Sequence, residues 1–354
     1  MEVNKINNLL ELFYKQYQKQ NKESIFLQSL KEPEIKYSWE DVYSNINRLS
    51  EEISKYIKKG DRCLLVSENR PEWMISDLSI MLSGGVTVPT YTTYTERDYE
   101  YIIDDCTPAI IIISNQTQYE KLKNIIPKKN FIKKIIFFEN GENINEELNI
   151  KIHDIFKKNN YNNQNFSDLK IQRKDMACII YTSGTQGNPK GVMLSHGGIL
   201  NNCEGAYGLL KNFISKKPKF LTWLPLSHSY EHTVQFVQIV VGARVFYAES
   251  IDKLVKNMSD CSPEIMTAVP RFYQNLYQKI NTSLGKATGF KKILVNIDKE
   301  LTSAVPDWNA IPSQTATVWK TTLPTSKDDL QKKHAPIQSS SVAIKIAPHL
   351  FAFN

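Results

Sequence analysis

The densest run of chemically useful side chains in this 354-residue sequence is Tyr181-Thr182-Ser183-Gly184-Thr185-Gln186-Gly187-Asn188-Pro189-Lys190-Gly191-Val192. Gly184, Gly187 and Gly191 permit positive φ and close approach of backbone to ligand, so successive N–H groups can form an anion-binding concavity. Thr182, Ser183 and Thr185 add hydroxyl donors around it. Pro189 fixes the exit geometry, and Lys190 supplies a mobile cation. Together these residues suit a polyphosphate. The spacing matches neither the GxxxxGK[ST] of a Walker A loop nor the GxGxxG of a dinucleotide site, which ranks a kinase or P-loop ATPase last. The plain alternative is a Gly/Ser/Thr-rich turn, but twelve positions in this order are far more specific than a generic loop.

Other candidates carry less. His228 and His232 have metal-ligand spacing, but without HExxH or a third ligand a surface or core histidine is the simpler reading. Arg271, Lys286 and Lys291-Lys292 read as solvated or ion-paired and receive no role. Five cysteines, Cys63, Cys106, Cys178, Cys203 and Cys261, are scattered without a CxxC pair and read as reduced thiols.

The loop needs a strand before it and a scaffold around it. From Arg62 onward, short β-rich runs alternate with helical patterns, the signature of an α/β fold with parallel strands and crossover helices. Strands are expected at 63–67, 86–89, 109–114, 135–138, 176–180, 220–224 and 265–269. Helices are expected from Pro71 to the Gly84-Gly85 stop, near 96–106, up to Ile126, at 196–213, at 230–243 and from Pro270 onward. The Asn-rich stretch Asn159–Asn165 reads as an exposed connection or insertion.

With 41% apolar and 23% charged residues the chain is globular in composition. The net charge of +7 is spread in lysine pairs rather than along one segment, which argues against a nucleic-acid partner. No apolar run approaches the ~18 residues of a membrane helix, and the N-terminus lacks a signal-like apolar region, so a cytoplasmic location is expected.

The 181–192 segment resembles the phosphate-binding signature of the AMP-forming acyl-adenylate ligase superfamily, with Gln186 standing where the family usually has a small hydroxylic residue. Gly60–Val66, Glu68-Asn69-Arg70-Pro71-Glu72-Trp73 and Gly84–Tyr91 resemble that family's early core. Leu224-Pro225-Leu226-Ser227-His228-Ser229-Tyr230-Glu231 and Val269-Pro270-Arg271-Phe272-Tyr273 are similar to its long-chain acyl-CoA synthetase branch. The resemblance spans about residues 10–297. It implies layered α/β sheets of a large N-terminal adenylation domain, and a reaction in which a long-chain fatty acid and ATP give acyl-AMP, then acyl-CoA. ATP, Mg2+ and coenzyme A are the implied cofactors. By the same resemblance, residues 181–191 hold the β- and γ-phosphates, His228 is the catalytic candidate near the acyl-adenylate, and Tyr230 and Glu231 shape that wall.

Beyond about residue 298 the resemblance stops, and the family's YGxTE, TGD and C-terminal lysine segments are not found. The expected organisation is a partial AMP-binding domain over 1–298 and an atypical tail over 299–354. The tail holds five of the chain's 15 prolines and reads as frame-shifted or disordered. The chain by itself is therefore expected to be inactive. The alternative function is a catalytically inactive nucleotide-binding or interaction fragment. Acyl chain length, peripheral membrane contact and oligomeric state are left open.

Overall fold

A computed structural model describes residues 2–139, 141, 145, 147–164, 166, 169–182, 189–269 and 272, together with the backbone of a strand at 342–345. The chain divides into two compact units, Met1–Ser262 and Pro263–Asn354.

The first unit begins with α1 (Leu9–Tyr17), β1 (Ile25–Ser29), β2 (Lys36–Ser38) and α2 (Trp39–Ser54), all upstream of the expected elements. It continues through β3 (Arg62–Val66), α3 (Pro71–Leu82), β4 (Val86–Thr90), α4 (Glu96–Cys106), β5 (Ile110–Ile113), α5 (Gln116–Glu120) and β6 (Lys134–Phe137). Then come β7 (Asn149–Lys151), α6 (Ile152–Phe156), β8 (Met176–Thr182), β9 (Lys190–Ser195), α7 (His196–Leu210), β10 (Lys219–Thr222), α8 (Ser229–Val240), β11 (Arg244–Tyr247) and α9 (Leu254–Cys261).

One sheet has the order β7-β6-β5-β3-β4-β8-β9 and is parallel except for the β8–β9 hairpin. The other, in this unit, runs β10-β11-β1-β2, with only β2 antiparallel. Parallel strands covered on both faces read as unbroken apolar runs, and the four isoleucines of β5 are all buried. The expected crossover pattern is present. In the second unit, β12 (Ile265–Ala268) pairs antiparallel with β13 (Val342–Lys345). The helix expected from Pro270 and nearly all of the atypical tail lie outside the described residues.

The helix starts follow local chemistry. Ser38 and Asp41 form a capping box on α2, Thr95 and Asp98 one on α4, and Pro71 occupies the first turn of α3. Gly84 stops the chain beyond α3 at φ +80, where a side chain would be strained. Every residue of α3 is buried, because it packs on β3 and β4 of one sheet and β1 of the other.

Several local expectations need correction, among them α8, which ends at Val240 rather than 243. α5 ends at Glu120 rather than Ile126, and the chain continues through turns into a short 3-10 helix at Ile126–Lys128. α7 stops at Leu210. β7, α6, β9, β11 and α9 were not anticipated: β9 follows the glycine-rich loop, and the others are only three to eight residues long. The Asn-rich connection is mostly exposed, yet it is laid along α2: Tyr43 donates to the Gln164 carbonyl at 3.0 Å, Gln164 N–H donates to Asn47 at 3.1 Å, and Phe166 is fully buried as its anchor.

Candidate functional site

β8 and β9 form a hairpin whose last pair, Thr182 opposite Lys190, is the mouth of the glycine-rich loop. Both residues are exposed, and Pro189 is half-buried. Ser183, Gly184, Thr185, Gln186, Gly187 and Asn188 lie outside the described residues.

The next pair inward, Tyr181 opposite Gly191, explains two positions of the signature. The Tyr181 ring is buried and its hydroxyl donates to Asp105 at the end of α4. Burial first, and then this hydrogen bond, push the phenol well above its usual range, so it remains a donor. A Cβ on Gly191 would lie 2.9 Å from Ile179 Cγ2 and 3.2 Å from Tyr181 Cζ. Gly191 is thus a packing glycine that lets Tyr181 lie across the hairpin, in addition to any freedom it lends the loop.

Register fixes where the mouth sits. Val66 pairs with Thr90, and Thr87 with Cys178, so the loops after β3, β4 and β8 leave the same carboxyl edge of the sheet. Ligands of open α/β sheets bind outside such edges.

His228 is exposed on the second sheet's side, in the connection from β10 to α8. It is the N-cap of α8: its Nδ1 accepts the Tyr230 N–H at 3.2 Å, satisfying one of the orphan donors of the first turn. Tyr230 is half-buried, and burial followed by the neighbouring Glu231 raises its phenol. Glu231 itself is buried.

His232, one turn on, is a core residue. Its Nε2 lies 2.7 Å from Asp77 Oδ2 of α3, Gln235 donates to the same oxygen at 3.1 Å, and Trp73 meets the imidazole edge-on at 5.2 Å. Burial opposes the charged imidazole, but Asp77 and Cys178 outweigh it and raise its pKa to about 10. All five cysteines are free and buried. The other buried histidine among the described residues, His196, does the opposite: burial, against weaker pulls from Asp175 and Asp77, lowers it to about 4, and its neutral Nδ1 accepts the Leu9 N–H at the start of α1.

Asp105, Asp77 and Asn69 went unassigned in the sequence. Their partners stand 76 to 158 positions away, beyond any local pattern.

The family model for AMP-binding enzymes matches residues 13–318, and the chain belongs to that family. Its relatives are long-chain acyl-CoA synthetases. Long chain acyl-CoA synthetase 3 of Arabidopsis thaliana is 28% identical over 275 residues, covering 74% of this chain and 41% of that protein. Long-chain-fatty-acid–CoA ligase 5 of Rattus norvegicus is 28% identical over 243 residues, covering 66% and 35%. The chain thus spans about two fifths or less of the length of these relatives. Among solved structures, a long-chain-fatty-acid-CoA ligase from Archaeoglobus fulgidus superposes with a TM-score of 0.67 at 18% identity, over 78% of this chain and 54% of that one. An anthranilate CoA ligase in complex with anthranoyl-AMP gives 0.62 at 17% identity, over 76% and 52%. These likenesses establish the fold as that of the N-terminal domain of adenylate-forming ligases.

Proposed function

We propose that this chain carries the ATP-binding and acyl-activating portion of an AMP-forming long-chain fatty acid–CoA ligase. The observation that supports it most is the Tyr181–Gly191 hairpin, anchored at the carboxyl edge of a parallel sheet with Thr182 and Lys190 facing solvent at its mouth. In the first half-reaction a fatty acid carboxylate oxygen attacks the α-phosphorus of ATP, the P–O bond to pyrophosphate breaks, and acyl-AMP forms. In the second, the coenzyme A thiol loses its proton and attacks the acyl carbon, and AMP leaves. Both partners of the first step are anions, so catalysis rests on charge neutralisation and alignment. Lys190 supplies the cation, Thr182 a hydroxyl donor, and His228 a polar group toward the acyl-adenylate. Among the described residues no three His, Cys, Asp or Glu side chains converge on a metal position. Mg2+, which this chemistry would use, would arrive with the phosphates of ATP and help neutralise their charge.

ATP–pyrophosphate exchange with palmitate, the first half-reaction alone, tests the reading on the full chain against the sequence-based expectation of inactivity: exchange that Lys190→Ala abolishes supports it. The alternative reading is an inactive nucleotide-binding or interaction fragment. Saturable ATP binding without exchange selects that reading instead.

A further inference from the structure

We propose that Asn69 is the positioning residue of the His228 connection, a latch that ties the carboxyl edges of the two sheets to each other. Asn69 follows β3 and is half-buried. Its Nδ2 donates to the Leu224 carbonyl at 2.6 Å, and its Oδ1 accepts the Leu226 N–H at 3.0 Å. One carboxamide therefore satisfies a donor and an acceptor of the same backbone segment, which an amide does in one orientation and neither carboxylate nor hydrocarbon can repeat.

The latched segment leads straight to the candidate catalytic side chain. His228 N–H donates to the Pro225 carbonyl at 3.0 Å, closing a turn immediately after the latched residues, and His228 then caps α8. From behind, α8 is held by Asp77 on His232 and by Gln238, which donates to Thr222 Oγ1 at 2.8 Å at the end of β10. From the front, Asn69 holds the connection to the loop after β3. That loop leaves the same edge as the Thr182–Lys190 mouth, two strands away in the order β3-β4-β8, about 10 Å by strand spacing. Asn69 thus sets the distance between a histidine borne by one sheet and a phosphate loop borne by the other. Its amide touches backbone, so its influence on chemistry passes through His228 rather than through substrate.

The kinetic part of the test rests on the ligase reading; the spectroscopic part does not. In the full chain, N69A is expected to lower kcat of ATP–pyrophosphate exchange at least tenfold while KM for ATP changes less than threefold. In an H228A background the same N69A change is expected to cost less than twofold, because residues acting as one unit are not additive. An equal factor in both backgrounds marks a merely structural residue and overturns the proposal. Imidazole nitrogen NMR of the same proteins reads the cap directly. The wild type is expected to hold His228 with its proton on Nε2, and N69A to average the two tautomers. N69D keeps the acceptor for Leu226 and turns an oxygen toward the Leu224 carbonyl, so it gives the same tautomer readout should N69A fail to fold. An unchanged His228 tautomer in whichever variant folds overturns the latch. If the wild type shows no exchange while the tautomer responds to N69A or N69D, the ligase reading falls and the latch stands.

Discussion

The β8–β9 hairpin and the α3–α8 contact are opposite solutions to carrying polar residues. The hairpin displays its polar groups at an edge: every residue of β9 from Lys190 to Met193 is exposed, including Val192 and Met193, and one tyrosine pins the hairpin to α4. The helix contact hides its polar groups between two sheets: Asp77, His232 and Gln235 are almost wholly buried, and His232 and Gln235 both meet the single carboxylate oxygen Asp77 Oδ2. An exposed edge tolerates substitution and leaves side chains free for a ligand. A buried ionic contact leaves nothing for a ligand, and removing one member strands the other in a low-dielectric interior. The region that looks most like chemistry is thus thermodynamically light, and the region that looks like plain core carries the larger energetic consequence.

Substitutions measure that difference. Asp77→Ala leaves the His232 imidazole without its partner and is expected to destabilise the chain by about 3–5 kcal/mol in urea unfolding. A loss below about 1 kcal/mol would erase the distinction between the regions. The same pair sets a pH dependence. The folded pKa of His232, about 10, exceeds the ~6.5 of an unfolded histidine, so its contribution is complete below ~6.5 and is lost as pH rises through about 10. His196, at about 4, contributes above ~6.5 and loses that contribution as pH falls through 4. Urea midpoints recorded from pH 4 to 10 should fall toward both ends, and His232→Gln should flatten the alkaline limb.

In the hairpin the effects are smaller. Gly191→Ala presses a methyl group against Ile179 and the Tyr181 ring and is expected to cost about 1–3 kcal/mol, with weakened ATP binding as Tyr181 is displaced. Isothermal titration alongside thermal melting checks both parts. Tyr181→Phe removes one hydrogen bond to a partly solvated carboxylate and should cost about 0.5–1.5 kcal/mol. Lys190→Ala is expected to change stability by no more than about 0.5 kcal/mol while removing exchange, the sharpest contrast with Asp77.

Local chemistry wrote much of this fold into the chain. Four consecutive isoleucines at 110–113 announce a strand buried on both faces, and Pro71 announces the start of α3. The order of residues from Tyr181 to Val192 announces the AMP-binding family before any fold is considered. Each signal is complete within a dozen positions, because helix starts, strand periods and glycine turns depend on neighbours in sequence. Pairing across the chain is different. Gly191 reads as one more loop glycine until Tyr181 is seen lying over it, and His232 reads as a surface or core histidine with no named partner until Asp77 is seen 2.7 Å from its Nε2. Asn69 sits inside a recognisable Glu68–Trp73 motif, yet nothing in that motif names Leu224 or Leu226 as its partners. These roles arise when two sheets close on one helix layer and bring side chains 76 to 157 positions apart within hydrogen-bond reach. The sequence by itself determined the family and most of the local elements; the tertiary structure decided which residues hold them in place, because burial and long-range hydrogen bonds exist only after the chain has folded.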